Sequence, residues 1–494
     1  MSKKIIIIGG GVAGLSAGIY AQKNGYDSEI IEMHKVPGGQ CTAWVKKGYR
    51  FDYCLHWLVG TRKGQLNNLW KETNVINDDT TIVDHDIFAR ISDGQGEDFI
   101  IYTNIDRWEE YLLKIAPEDA KGIKKMCNDM RKGALYEPTG NDGGFWGMIK
   151  KYKALLKMAP LLPLFIRYGK KNCRAYFSKL NLTNQRLTYF LNKSYGQRDF
   201  SAIAFIMMLG WFNQRNAGYI IGGSLPFAKR MAEKYRSLGG KLTLGKKVEK
   251  IIVENNMAVG VILTDGTILK GDYVIGAADG HATIFNMLEG KYLSKEIKEA
   301  YGTWKLFTPI VQVSFGINAE IKTEYPIQSF IAEGKNIGFT ELMHGCSVMN
   351  YSYDPTMAPE GKTVIVLRYE SPWESWKDLK EEAYRAEKER IKTDATALLE
   401  SEYPGITNKI DVIDVATPLT NVRYTGVWKG AYEGFSPTAE NLTKQLKNTL
   451  PGLKNFYLAG QWLFPGGGLP PSALSGKSAI RQICQTEKKS FMAM

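Results

Sequence analysis

Glycines at 9, 11 and 14 and an acid at 32 are the residues of this chain whose types and spacing point most directly to chemistry. They lie in "KKIIIIGGGVAGLSAGIYAQKNG", where residues 3–9, two Lys and then Ile5–Ile8, read as a short buried parallel strand. Ala13, Leu15, Ala17 and Ala21 continue it as a small-residue helix to about Asn24. A G-x-G-x-x-G between strand and helix suits the diphosphate of a dinucleotide. Gly9 permits the tight turn, Gly11 lets a pyrophosphate approach the backbone, and Gly14 lets helix and strand pack closely. The helix N-terminus adds N–H groups and partial positive charge. "DSEIIE" forms a second strand ending in Glu32, which suits a ribose hydroxyl pair and would repel a 2′-phosphate. Ala13 and Met33, beside these positions, complete the first candidate set. A second Gly-rich stretch, "FYLAGQWLFPGGGLPPSALSGKSAIRQI" at 456–483, again sits between a strand-like run and a helix.

The elements that must bring these loops to their ligand are distributed over 494 residues, which predicts two intertwined or sequential domains. Apolar residues at 44% and charged ones at 23% fit a soluble globular protein. No apolar run approaches the ~18 residues that would span a bilayer. Lys3 and Lys4 ahead of the isoleucines resemble a signal peptide, but Gly9–Gly11 cut the run short, so a cytoplasmic protein is expected. The six cysteines lack a C-x-x-C, and the five histidines lack metal-ligand spacing, so neither a dithiol motif nor a metal site is expected.

Residues 221–278 read as a helix, then strands broken at "ENN" and "TDG", then "DYVIGAAD", a pattern that predicts a β-meander. Residues 377–403 read as a charged amphipathic surface helix with Leu379, Ala383, Ala386, Ile391, Leu398 and Leu399 on its apolar side. The formal charge is +13, and its placement matters more than its size. Residues 148–179 carry nine Lys/Arg and no acid, interleaved with apolar side chains and broken by Pro160 and Pro163. Two readings of this stretch stand: a peripheral contact with an anionic membrane, or a lid whose lysines are merely solvated. Nucleic acid is not expected as a partner, because no nucleic-acid-binding fold surrounds the basic groups.

Several motifs together resemble the FAD-dependent phytoene desaturase, carotenoid isomerase and retinol saturase-like family of the amine oxidase superfamily. The resemblance covers residues 3–60, 221–280 and 415–485. It rests on the N-terminal motif, on Gly38-Gly39 after Glu32, on "YRFDYCLHWLVG", and on "PGGGLPPSALSG". Two positions depart from the family: Gln40 stands where Arg is usual, and Gln461 stands where an acid is usual. Cys54 replaces a glycine of the family's F-D-x-G-x-H-x-x-G, while Phe51, Asp52 and His56 match and Gly60 stands one residue beyond the place of the last glycine.

The resemblance implies an α/β fold, with a Rossmann-type FAD-binding domain at 1–78, 215–285 and 415–494. An interleaved α+β substrate domain with a helical lid would occupy 79–214 and 286–414. It implies that both glycine loops hold one FAD. Gly39 and Gln40 would add to the phosphate side, and Val248 would lend its backbone to the adenine. Gly460, Gln461, Gly467, Gly468, Leu469 and Pro470 would meet the ribityl chain and the flavin ring, with the last helix aimed at its pyrimidine edge. The expected activity is saturation, desaturation or isomerisation of carbon–carbon bonds in a hydrophobic polyene or isoprenoid. Such a substrate is gripped by shape and apolar area, so few polar residues mark its site. Trp211, Phe212 and Tyr219 are candidates for an apolar lining.

A proton donor or acceptor is needed beside the flavin; His56 is the first candidate and His344, near Tyr351 and Tyr353, a weaker one. NAD(P)H stays open as electron donor, but no second G-x-G-x-x-G offers it a site. Two other functions fit the superfamily: an amine or protoporphyrinogen oxidase-like enzyme, or a non-catalytic escort of prenylated proteins. The intact Gly9, Gly11, Gly14 and Glu32 set argues against the escort.

Overall fold

The computed structural model describes residues 2–136 except 95 and 97, residue 156, residues 158–332 except 197 and 198, and residues 334–493. Its organising element is a five-stranded parallel sheet. The order runs Phe456–Leu458, Tyr273–Gly276, Lys4–Ile8, Asp27–Glu32, Lys241–Leu244. Lys4–Ile8 occupies the centre, and all four of its isoleucines are buried. A strand covered on both faces has no use for alternation, which is why it reads as an unbroken apolar run.

Gly11 caps the helix Val12–Lys23, almost every residue of which is buried. Its small residues let it lie between the sheet, the helix Ser224–Ser237 and the last helix, Leu469–Thr486. The approach of the first and last helices is close. A Cβ on Gly476 would stand 2.3 Å from the Ala13 carbonyl oxygen, and Ser16 Oγ donates to the Ala473 carbonyl at 2.7 Å. The expected meander appears as the antiparallel strands Val248–Glu254, Met257–Leu263 and Ile268–Lys270. Its first turn uses Asn255 and Asn256 at positive φ, a conformation asparagine tolerates better than most residues.

A seven-stranded sheet forms the other half. Its order is Ile410–Ala416, Ile310–Ile317, Thr363–Glu370, Cys346–Asn350, Ile327–Phe330, Ile87–Ser92, Asp98–Tyr102, antiparallel except where Ile327–Phe330 meets Ile87–Ser92. The charged helix is Glu381–Glu402, and its buried stripe is Tyr384, Glu387, Ile391, Ala395 and Leu399. The expected apolar side is thus rotated: Ala383 and Ala386 face solvent. Tyr384 and Ala395 bury more surface than the two alanines could, and Glu387 is accommodated because the Phe339 N–H donates to it at 2.7 Å.

A separate helical core packs Ile105–Ile115, Ala120–Gly133, Leu162–Tyr168, Cys173–Ser178, Gln185–Leu191 and Ala202–Asn213 together. Residues 148–155 and 157 of the basic stretch lie outside the described residues. In the remainder, Leu161 and Leu164 are core, whereas Leu156, Leu162 and Ile166 are among the most exposed apolar side chains of the molecule. Among the described residues, no helix is long and apolar enough to cross a membrane.

Candidate active site

One cavity of about 1520 Å³ reaches from the first glycine loop to the helical core. That exceeds the roughly 300–1,000 Å³ of an ordinary small-molecule pocket, leaving room for a dinucleotide and a second molecule. Both glycine loops line it, because the last helix lies on the first helix and brings them together.

At the first loop, Gly9 has φ +100, and a Cβ there would stand 2.9 Å from the Ala277 carbonyl oxygen. A Cβ on Gly14 would come within 1.9 Å of the Gly9 carbonyl oxygen, so Gly14 is the packing glycine and does not line the cavity. Gly11 pairs with Gly38 through a backbone bridge, and the Gly38 N–H donates to the Gly10 carbonyl at 2.9 Å, so Gly11 and Gly39 together line the place a bound diphosphate would take. Glu32 is buried at the cavity edge. Its carboxylate accepts the Gly10 N–H at 2.6 Å and the His34 N–H at 2.7 Å, and burial pushes its pKa up against those bonds. Glu32 therefore also fixes the glycine loop. Ala13, Met33, Gly39 and Val248 line the same end. Gln40 lines it too, and its buried side-chain oxygen has no hydrogen-bond partner among the described residues, which suits a ligand hydroxyl.

The second loop begins at Gly460, with φ +133 and ψ 178, a conformation essentially reserved for glycine. Nothing stands within 4 Å of where its Cβ would be. Gln461 follows, but its amide nitrogen donates to the Tyr432 carbonyl at 3.0 Å, so that part of the amide is committed to the protein. Gly466, Gly467 and Gly468 all have positive φ, and Gly468 caps the last helix ahead of Leu469 and Pro470. All of these residues line the cavity. The residues present at the two loops thus fit FAD.

Beyond the second loop the wall becomes apolar: Leu55, Trp57, Phe165, Phe200, Met207 and Trp211 line it. Phe212 and Tyr219 do not. Phe212 packs on Trp57 and Phe88, and Tyr219 donates to Asp354 at 2.8 Å. His56 does line the cavity. Its Nε2 is held by the Arg368 guanidinium, and Tyr351 stands 3.4 Å from its Nδ1. Burial, reinforced by the Arg368 charge, lowers its pKa well below the usual histidine value, so the ring is neutral. His344 is not a lining residue; its Nδ1 stands 3.9 Å from Glu370, which is.

Among the charged residues of the wall that the sequence did not mark are Arg368 and Glu433. Arg368 donates to Gln312 Oε1 at 2.6 Å and to the Tyr53 carbonyl at 2.5 Å, which ties the exit of the hairpin Ala43–Lys46/Tyr49–Asp52, the segment carrying His56, to the large sheet. Its signal was a lone cation directly after the apolar run "VIVL" of the strand Thr363–Glu370. Glu433 left no signal, since it sits in the loop "GAYEGF".

Comparison with known proteins bears on the whole chain. Residues 7–73 match the model of an NAD(P)-binding Rossmann-like domain. The chain is 26% identical to the chloroplastic prolycopene isomerase of Arabidopsis thaliana, covering 98% of this chain and 84% of that protein. It is 24% identical to the neurosporene-forming phytoene desaturase of Cereibacter sphaeroides, over 94% of this chain and 92% of that one. An oxidoreductase from Methanosarcina mazei superposes with a TM-score of 0.65 at 18% identity, covering 97% and 100% of the two chains. Cyclohexylamine oxidase of Brevibacterium oxydans does so with 0.61 at 13%, covering 99% and 100%. These structures share the fold.

Proposed function

We propose that this chain is an FAD-dependent oxidoreductase acting on carbon–carbon bonds of a hydrophobic polyene or isoprenoid lipid, by saturation, desaturation or isomerisation. The observation that carries the reading is the single cavity with both glycine loops at one end and an apolar wall at the other. The similarity to a desaturase and an isomerase of polyenes, over nearly the full chain, supports the same chemistry. The amine oxidase among the solved structures is a fold match, so amine oxidation is the weaker alternative.

In this reading Gly9, Gly11 and Ala13 hold the FAD diphosphate, and Glu32 with Met33 holds the adenosine ribose. Val248 meets the adenine, Gly39, Gln40, Gly460 and Gln461 the middle of the cofactor, and Gly467, Gly468, Leu469 and Pro470 the flavin ring. When bound, FAD supplies reversible two-electron exchange with carbon. The protein's share is positional. The apolar wall draws in the substrate by buried area, at about 25 cal/mol per Å², and excludes water. Arg368 fixes the hairpin exit so that His56 keeps one orientation beside the substrate space. NAD(P)H is a candidate donor for which no site is assigned. The domain division at 1–78, 215–285 and 415–494 against 79–214 and 286–414 is part of this proposal. All strands of the parallel sheet come from the first set.

The helix Leu162–Tyr168 supports substrate entry from an anionic membrane surface: Phe165 lines the cavity, while Leu162 and Ile166 point outward beside Arg167. The test of the function is a visible spectrum of the purified protein, followed by incubation with prolycopene and with phytoene under oxidising and reducing conditions. Flavin absorbance released by acid, and conversion of either polyene, are expected. A colourless protein that takes up no FAD would overturn the reading.

A further inference from the structure

Glu433 is the one acid of the cavity whose carboxyl stands at the second loop with no use in holding the fold. A Cβ on Gly468 would lie 3.6 Å from Glu433 Oε1, and a Cβ on Gly467 would lie 2.0 Å from its backbone oxygen. The residue is thus seated against the turn that opens the last helix. Its side chain lines the cavity, and no hydrogen-bond or ion-pair partner meets the carboxyl among the described residues. Of the other acids that line the cavity, Glu249 is exposed on the meander and Glu370 stands 3.9 Å from His344 Nδ1, while two are held by backbone N–H groups. Glu32 accepts from Gly10 and His34, and Asp279 accepts the Ala282 and Trp428 N–H groups. His56, the other proton-carrying candidate, has its ring nitrogens beside Arg368 and Tyr351.

Resting on the function proposed above, we infer that Glu433 holds the proton of the reaction and exchanges it with the substrate carbon next to the one that exchanges hydride. In saturation, the two electrons arrive with the hydride, which reduced FAD supplies. The O–H bond of Glu433 breaks, a C–H bond forms, and the carboxylate left behind regains H⁺ from water. In desaturation each bond change runs in reverse: FAD takes the hydride and Glu433 takes H⁺. Enclosure in protein raises the carboxyl to about 7, with the Arg368 charge pulling the other way. A group titrating near the working pH is the most effective proton carrier. Arg368, on the Thr363–Glu370 strand, is the charge that acts on it, Tyr432 is its chain neighbour, and Glu370, Tyr53, His56 and Asp279 line the same cavity. Only the Arg368 charge bears on it appreciably.

The experiment is an infrared pH titration of the flavin-loaded protein, carboxyl-labelled with ¹³C-glutamate, for wild type, E433Q and E433D. A protonated-carboxyl band that titrates near neutral pH in the wild type and is missing from E433Q is expected. Its absence from the wild type, or its persistence in E433Q, would overturn the inference. Flavin content is measured alongside, and E433D serves as the folded control if E433Q loses its cofactor. With prolycopene or phytoene, whichever is turned over, E433Q should lower kcat by roughly 10²–10⁴-fold at little change in KM, and E433D should restore part of it. Wild-type kcat in E433Q would also overturn it. If neither polyene reacts with the wild type, the functional reading fails by itself, and the infrared band still decides whether Glu433 carries the proton.

Discussion

Glu32 shows how one residue serves ligand and loop together. Its carboxylate caps the Gly10 and His34 N–H groups and still borders the cavity, so Glu32→Ala removes charge-assisted bonds worth about 1.5–3 kcal/mol. FAD should bind more weakly by roughly tenfold or more, measured by equilibrium dialysis; unchanged affinity would remove Glu32 from the ribose. A second residue-scale effect is pH. His85 packs edge-on against Tyr353, its buried Nε2 has no hydrogen-bond partner among the described residues, and burial lowers its pKa to about 4, against the pull of Asp84 and Asp86. The unfolded chain then binds more protons than the folded one between pH 4 and 6.5. Stability is therefore full above about 6.5 and declines as pH falls toward 4, by about 3 kcal/mol for this group. His85→Phe keeps the ring packing and should make the stability–pH curve shallower by about one proton over that range, read by denaturant titration at several pH values.

At the scale of elements, the decisive contact is that of the first helix with the last. Gly476→Ala would drive a methyl into the Ala13 carbonyl oxygen. The helices must then separate, at a cost of about 1–3 kcal/mol, and the two glycine loops lose their common register. A lower melting temperature together with reduced flavin content is expected. Gly460→Ala is the contrasting case, because its Cβ meets open space and only the backbone conformation is strained. It should perturb the flavin spectrum at near-normal occupancy. If both variants behaved alike, helix separation would not be the route by which Gly476 acts.

At the scale of the whole molecule, the question is how a water-insoluble substrate reaches a buried cavity. Leu162 and Ile166 are 60% and 78% exposed, whereas Leu161 is 2% exposed and belongs to the core. The pair Leu162→Ser with Ile166→Ser should therefore abolish the salt-resistant part of binding to anionic vesicles without loss of FAD. Cosedimentation at low and high salt checks it; wild type left in the supernatant at low salt would remove the membrane from the account.

The sequence by itself determined the parts built from local signals. The strand–glycine–helix unit, Glu32 at the end of the second strand, the turns at Asn255 and Asp265, and the second glycine loop all follow from backbone rules that act over a few residues. Tertiary structure alone decided which distant residues share the cavity. Arg368 comes from the large sheet and Glu433 from a connecting loop, and they line one cavity with His56 only because the sheets and helices pack as they do. The buried stripe of Glu381–Glu402 and the split between core Leu161 and Leu164 and exposed Leu156 and Leu162 belong to the same class. Which face of a helix is buried depends on the partner it meets, and periodicity within the helix carries only part of that information.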